Sequence, residues 1–146
     1  MVTLIKSFLL STGLLVALSV NAADQLNNTK WVNFNKEGKP NAVLRFVETN
    51  GKLSAKVEKI LNNPEKKTKC DDCKGKYHDK PLVGATLIWD LEPDANDPNA
   101  YVNGNGIDPK TGITFSGKAK LEGNTLKLRG YKGVTFLGKT HILKRL

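Results

Sequence analysis

Cysteine and histidine are scarce in this 146-residue chain, with two of each. A tetrahedral metal centre takes about four such ligands. Cys70 and Cys73 would need two more, and His78 and His141 are the only histidines. No metal site and no cofactor are expected. No serine stands in a nucleophile-elbow context, and no glycine-rich loop precedes a helix to cradle phosphate. The carboxylates do not pair at hydrolase-like positions, and Asp90, on a strand beside Trp89, fits a solvated carboxylate. These absences argue against an enzyme. Nucleic-acid-binding motifs are missing as well, so no nucleic-acid partner is expected. No apolar run reaches the ~20 residues that span a bilayer core, so no transmembrane anchor is expected either.

The N-terminus carries a secretory pattern. Lys6 precedes Phe8 to Val20, which are almost wholly apolar or small. Val20-Asn21-Ala22 puts small side chains where a signal peptidase reads. Residues 1–22 are expected to be a signal peptide cleaved before Ala23, leaving 23–146 as a single domain large enough for one core. No cysteine follows the apolar run, which argues against a lipid anchor. The expected address is periplasmic or secreted. The chain carries 23 Lys and Arg against 14 Asp and Glu, net +9, and Lys6 is the leader's only charge. The lysines are spread along the chain, often at alternate positions, as on the solvated face of a sheet.

Hydrophobic spacing is two almost throughout. Leu53, Ala55 and Val57 alternate with Lys52, Ser54, Lys56 and Glu58. Leu87, Trp89 and Leu91 alternate with Thr86, Ile88 and Asp90, and Phe115, Gly117, Ala119 and Leu121 with Thr114, Ser116, Lys118 and Lys120. One apolar and one charged face per segment predicts half-buried antiparallel strands. Asn50-Gly51 and Gly123-Asn124 close tight hairpins. Eight strands are expected, at 31–35, 42–48, 52–60, 85–92, 100–107, 113–121, 125–131 and 139–145. Hairpin-length links make this an all-β, antiparallel up-and-down barrel. A short helical turn fits part of 24–29, and the polar stretch 93–99 reads as a mobile turn. Asn103 to Gly106 reads as a strand bend or bulge.

The long polar segment 62–84 interrupts the pattern and holds both cysteines. Three readings of Cys70-x-x-Cys73 compete: a structural disulfide, a redox pair and half of a metal site. In an exported chain the disulfide is the expectation. Its short loop gives only ~2 kcal/mol in the chain-entropy model.

The order of several segments resembles the uncharacterised bacterial family Domain of Unknown Function 2147. They are Cys70-Asp71-Asp72-Cys73-Lys74-Gly75, Asp79-Lys80-Pro81-Leu82-Val83-Gly84, Leu87-Ile88-Trp89, Asn103-Gly104, Ile107-Asp108-Pro109 with Gly112, Leu121-Glu122-Gly123-Asn124, Leu126 to Tyr131, and Leu137 to Thr140. The resemblance implies a small exported protein with a lipocalin-like, or calycin-like, barrel, and no established activity. Lipocalins carry Gly-x-Trp near the first strand's start and an Arg late in the last strand. Trp31 and Arg145 occupy comparable places, with Thr29 where the glycine would be. They are expected to close one end of the barrel.

Large side chains on the strands make the candidate site: Trp89, Phe46, Tyr101 and Phe115 as apolar lining, with Arg129 and Tyr101 as polar anchors. The expected function is binding of a small, largely apolar molecule in the cell envelope or outside. The alternative is a non-enzymatic envelope-interaction protein that uses its cationic surface and cysteine loop.

Overall fold

The structure, a computed structural model, describes residues 13, 22–132 and 139–146. Apart from Gly13 and Ala22, the expected signal peptide lies outside the described residues. The described chain forms eight strands: β1 (Thr29–Phe34), β2 (Pro40–Thr49), β3 (Lys52–Ile60), β4 (Thr86–Asp94), β5 (Asp97–Ile107), β6 (Thr114–Glu122), β7 (Thr125–Tyr131) and β8 (Lys139–Arg145). Each pairs antiparallel with the next, and β1 pairs with β8, closing an up-and-down barrel. Closure leaves no open sheet edge.

The period-two pattern sets the two faces. Leu53, Ala55 and Val57 are buried inside the barrel while Lys52, Lys56 and Lys59 are exposed. On β6, Ala119 and Leu121 are buried and Lys118, Lys120 and Glu122 are exposed. Outside, Lys30 and Arg45 pair with Glu58 at 3.2 and 3.0 Å. Such half-exposed pairs contribute at most ~1 kcal/mol each, so the cationic face keeps the barrel solvated more than it holds it together.

Asn50 and Gly51 both adopt left-handed conformations, φ 53° and 76°, as a two-residue hairpin between twisted strands requires. Two expectations fail locally. The stretch 24–29 holds a turn at 25–28 rather than a helix, with Asn27 N–H donating to Asp24 O and Thr29 N–H, at the start of β1, to Leu26 O. Most of 93–99 belongs to strands, because β4 runs to Asp94 and β5 begins at Asp97. The asparagines and aspartates there sit on a solvated hairpin, where their polarity mimics that of a loop.

The bulges matter more. Asp90 and Asn103 both have positive φ, 58° and 59°, a conformation that Asp and Asn tolerate better than most residues. Leu53 and Ala55 of β3 face Leu91 and Ile88 of β4, so three β4 residues span two of β3. Tyr101 and Gly104 of β5 likewise face Ala119 and Gly117 of β6. Beyond each bulge the inward parity switches. Leu91 and Ile88 point inward on β4, and Tyr101, Gly104 and Gly106 do so on β5.

The barrel ends differ. One end has the tight hairpins at 50–51, 95–96 and 123–124, together with the turn at 25–28. The other has the longer connections, including the 61–85 loop between β3 and β4. That loop contains one 3-10 turn, Gly75–Tyr77. Among the described residues no helix is long and apolar enough to cross a membrane.

Candidate functional site

The hairpin end is sealed. Leu26, Trp31, Phe46 and Tyr101 are each completely buried. The Asp24 carboxylate organises the seal: its Oδ1 accepts from Leu26 N–H and from the Tyr101 hydroxyl, both at 2.8 Å. Asn27 Oδ1 accepts from Glu48 N–H at 2.8 Å, and Asn28 N–H donates to Phe46 O at 2.7 Å. Burial, reinforced by the hydrogen bond to Asp24, pushes the Tyr101 phenol well above its ordinary value. Trp31 donates its indole N–H to Thr29 Oγ1 at 2.8 Å. The Arg145 guanidinium lies over the Trp31 ring, 5.6 Å from its centroid. Trp31 and Arg145 are direct partners across β1 and β8. Thr29 thus serves as the acceptor for the indole of the tryptophan two residues further on.

At the loop end the interior is nearly filled by one ring. Phe115 lies across three strands, opposite Gly106 in the β5–β6 register. A Cβ on Gly106 would stand 2.5 Å from the Phe115 ring, and one on Gly130 would stand 2.8 Å from it. Leu91 occupies the analogous space over Gly104, with Cδ1 2.7 Å from where a Cβ would be. These glycines are seats for larger side chains from neighbouring strands. A cavity of about 60 Å³ remains, bordered by Ile88, Leu91, Phe115, Leu128, Asn105 and His141. That is room for a few waters.

A second concavity lies outside the barrel, where the cysteine loop folds back on β4. Cys70 and Cys73 are disulfide-bonded, and Cys73 and Tyr77 are buried against Ile107, with Leu82, Leu87 and Trp89 packed around them. The loop is tied down at many points. Cys70 N–H donates to Lys80 O, Asp79 N–H to Cys70 O and Lys74 N–H to Pro109 O. The Tyr77 hydroxyl donates to Thr86 O at 2.6 Å. Its end is tied to β3: Val57 N–H donates to Ala85 O at 3.0 Å and Gly84 N–H donates to Val57 O at 2.7 Å. The result is an open groove of about 640 Å³ along Tyr77, Pro81, Val83 and Trp89, with Lys76 and Lys80 at its rim.

The five ligand-lining residues expected from sequence are therefore dispersed. Phe115 and Arg129 border the internal cavity. Phe46 and Tyr101 belong to the sealed end. Trp89 is outside the barrel, in the groove, because the Asp90 bulge breaks the parity that would align it with Leu91. Ile88, Leu128, Asn105 and His141 were not anticipated. Leu128 was accessible from the β7 alternation, whereas Ile88 depends on the bulge. Tyr77 was the one aromatic signal inside an otherwise polar loop. Among the described residues, no group of three or more His, Cys, Asp or Glu could hold a metal ion.

Comparisons with known proteins agree with this architecture. The sequence profile of a family described as "Uncharacterized protein conserved in bacteria (DUF2147)" matches residues 29–145. A solved structure, protein HP1028 from the human pathogen Helicobacter pylori, described as belonging to the lipocalin family, superposes with a TM-score of 0.67. It is 22% identical, and the match covers 85% of this chain and 84% of that one. No curated protein matches the sequence.

Proposed function

The chain belongs to the DUF2147 family of uncharacterised bacterial proteins, and from that premise we propose an exported, non-enzymatic barrel that takes a small, largely apolar molecule into its loop end. The lipocalin-like barrel is generally a binding fold, which supports the coarse reading. One observation carries the finer one: Phe115 rests on Gly106 and Gly130, beside an apolar cavity with Asn105 and His141 at its edge. An apolar lining with few polar groups is the usual composition of a ligand pocket. At about 60 Å³ the cavity is far below the ~300–1,000 Å³ of typical pockets. A ligand therefore enters only when Phe115 swings off its glycine seats, and the cost of that movement is set against the binding energy. The envelope or extracellular address rests on the leader pattern at 1–22.

The test is a titration of the protein and of Phe115→Ala with N-phenyl-1-naphthylamine, an uncharged apolar fluorophore. The expected result is saturable binding that tightens by about tenfold in Phe115→Ala, as a ring movement worth ~1.4 kcal/mol is removed. Absence of saturable binding to either protein, or equal affinity in both, would overturn the proposal.

A further inference from the structure

The groove between the cysteine loop and β4 lies outside the barrel and opens widely to solvent, with a volume of about 640 Å³. It is a built feature. The disulfide, the Tyr77–Thr86 hydrogen bond and the backbone ties to Lys80, Pro109 and Val57 hold its walls. Its floor is apolar and partly aromatic, and Val83 is 55% exposed. Its charged lining is of one sign: Lys76 and Lys80 contribute ammonium groups and no carboxylate lines it.

The position of Lys76 is informative. Its Nζ is 5.2 Å from the centroid of Tyr77 and 5.5 Å from that of Trp89. One ammonium group thus sits against both rings, at the border between the apolar floor and water. Among the described residues neither Lys76 nor Lys80 forms an ion pair. Of the acids in the same loop, Asp79 contacts His78 at 3.2 Å and Asp71 pairs with Lys67 at 3.3 Å.

We propose that this groove is a second binding site, separate from the barrel interior, for a free amphiphilic anion: a flat apolar body bearing one carboxylate. The body lies along Trp89, Pro81 and Val83, excluding water from their faces. The carboxylate meets Lys76, which need not leave the rings to pair with it, and Lys80. A bare anion gains only exposed ion pairs, which water and salt weaken. A neutral apolar body gains the floor and leaves both ammonium groups unpaired. The groove therefore selects the combination.

The experiment titrates the protein with 2-naphthoate, 2-naphthamide and inorganic phosphate, following affinity by calorimetry and location by amide and indole NMR shifts. The expected result is saturable 2-naphthoate binding that moves the Trp89 indole and Tyr77 amide signals. 2-Naphthamide should bind about tenfold more weakly, as expected for two exposed ion pairs, and phosphate should not bind. Lys76→Gln/Lys80→Gln should reduce 2-naphthoate affinity to that of the amide. These lysines are exposed, so the variant keeps its fold. Trp89→Leu should weaken both aromatic ligands. Unchanged 2-naphthoate affinity in the double lysine variant would overturn the proposal, as would no saturable binding. Shifts confined to Ile88, Leu128 and His141 would also overturn it, while favouring the barrel-interior reading.

Discussion

The two ends of this barrel solve opposite problems with similar residues. At the hairpin end, Trp31 and Tyr101 are fully buried, and each polar atom they carry has a partner: Thr29 for the indole and Asp24 for the phenol. At the loop end Phe115 is only half-buried and is held by contact with the bare backbones of Gly106 and Gly130. An aromatic ring fixed by both packing and hydrogen bonding has one position. A ring held by packing alone can leave its seat when another apolar body replaces it. Binding elements are drawn from the less stable parts of a fold, and the cavity and the 61–85 connection share the loop end.

The sharpest way to break this comparison is to truncate one aromatic at each end. Trp31→Ala removes a fully buried side chain and the platform under Arg145. It should cost about 3–5 kcal/mol in urea denaturation, enough to unfold a marginal domain. Phe115→Ala should cost clearly less, because its ring is already partly solvated. Equal losses would mean that the ends are not different in kind.

A smaller effect tests the glycine seats. In Gly106→Ala the new Cβ collides with the Phe115 ring, and overpacking of this sort costs about 1–3 kcal/mol. Adding Phe115→Ala should relieve most of that penalty, a positive coupling visible in a double-mutant cycle. Additive losses would show that Phe115 does not rest on Gly106 in solution.

The placement of these residues shows what was legible in the sequence. The alternation in β3, β6 and β7 and the Asn50-Gly51 turn carried strand count, order and closure, because a half-buried strand must repeat every two residues. Trp31 and Arg145 were legible because closure brings the first and last strands together. Trp89 was misplaced for a local reason. Asp90 takes a left-handed conformation, one residue is absorbed, and the side chains beyond it exchange faces. Composition does not announce that event, since Asp on a strand reads equally well as a solvated position. Leu26 was hidden differently: a single leucine among polar residues has no period, and its role as a plug depends on where the barrel places it. The packing of the cysteine loop on β4 likewise rests on contacts distant in sequence.

The smallest effect concerns pH and belongs to the sealed end alone. The Tyr101 phenol is raised by burial and by its bond to Asp24, while in the unfolded chain it ionises near pH ~10. Above that pH the unfolded state binds fewer protons than the folded state, so stability falls as pH rises. The contribution is fully present below pH ~10 and fades above it. Thermal unfolding of the protein and of Tyr101→Phe between neutral and strongly alkaline pH should show a steeper alkaline decline in the protein. Parallel curves would remove Tyr101 from the account.

The central claim is that ligand uptake belongs to the loop end while the hairpin end stays shut. Amide hydrogen exchange, with and without saturating N-phenyl-1-naphthylamine, tests it most directly. The account predicts added protection in β4, β6 and β7 around Ile88, Phe115 and Leu128, and unchanged exchange around Leu26, Trp31 and Tyr101. Protection appearing first at the hairpin end, with no change near Phe115, would contradict it.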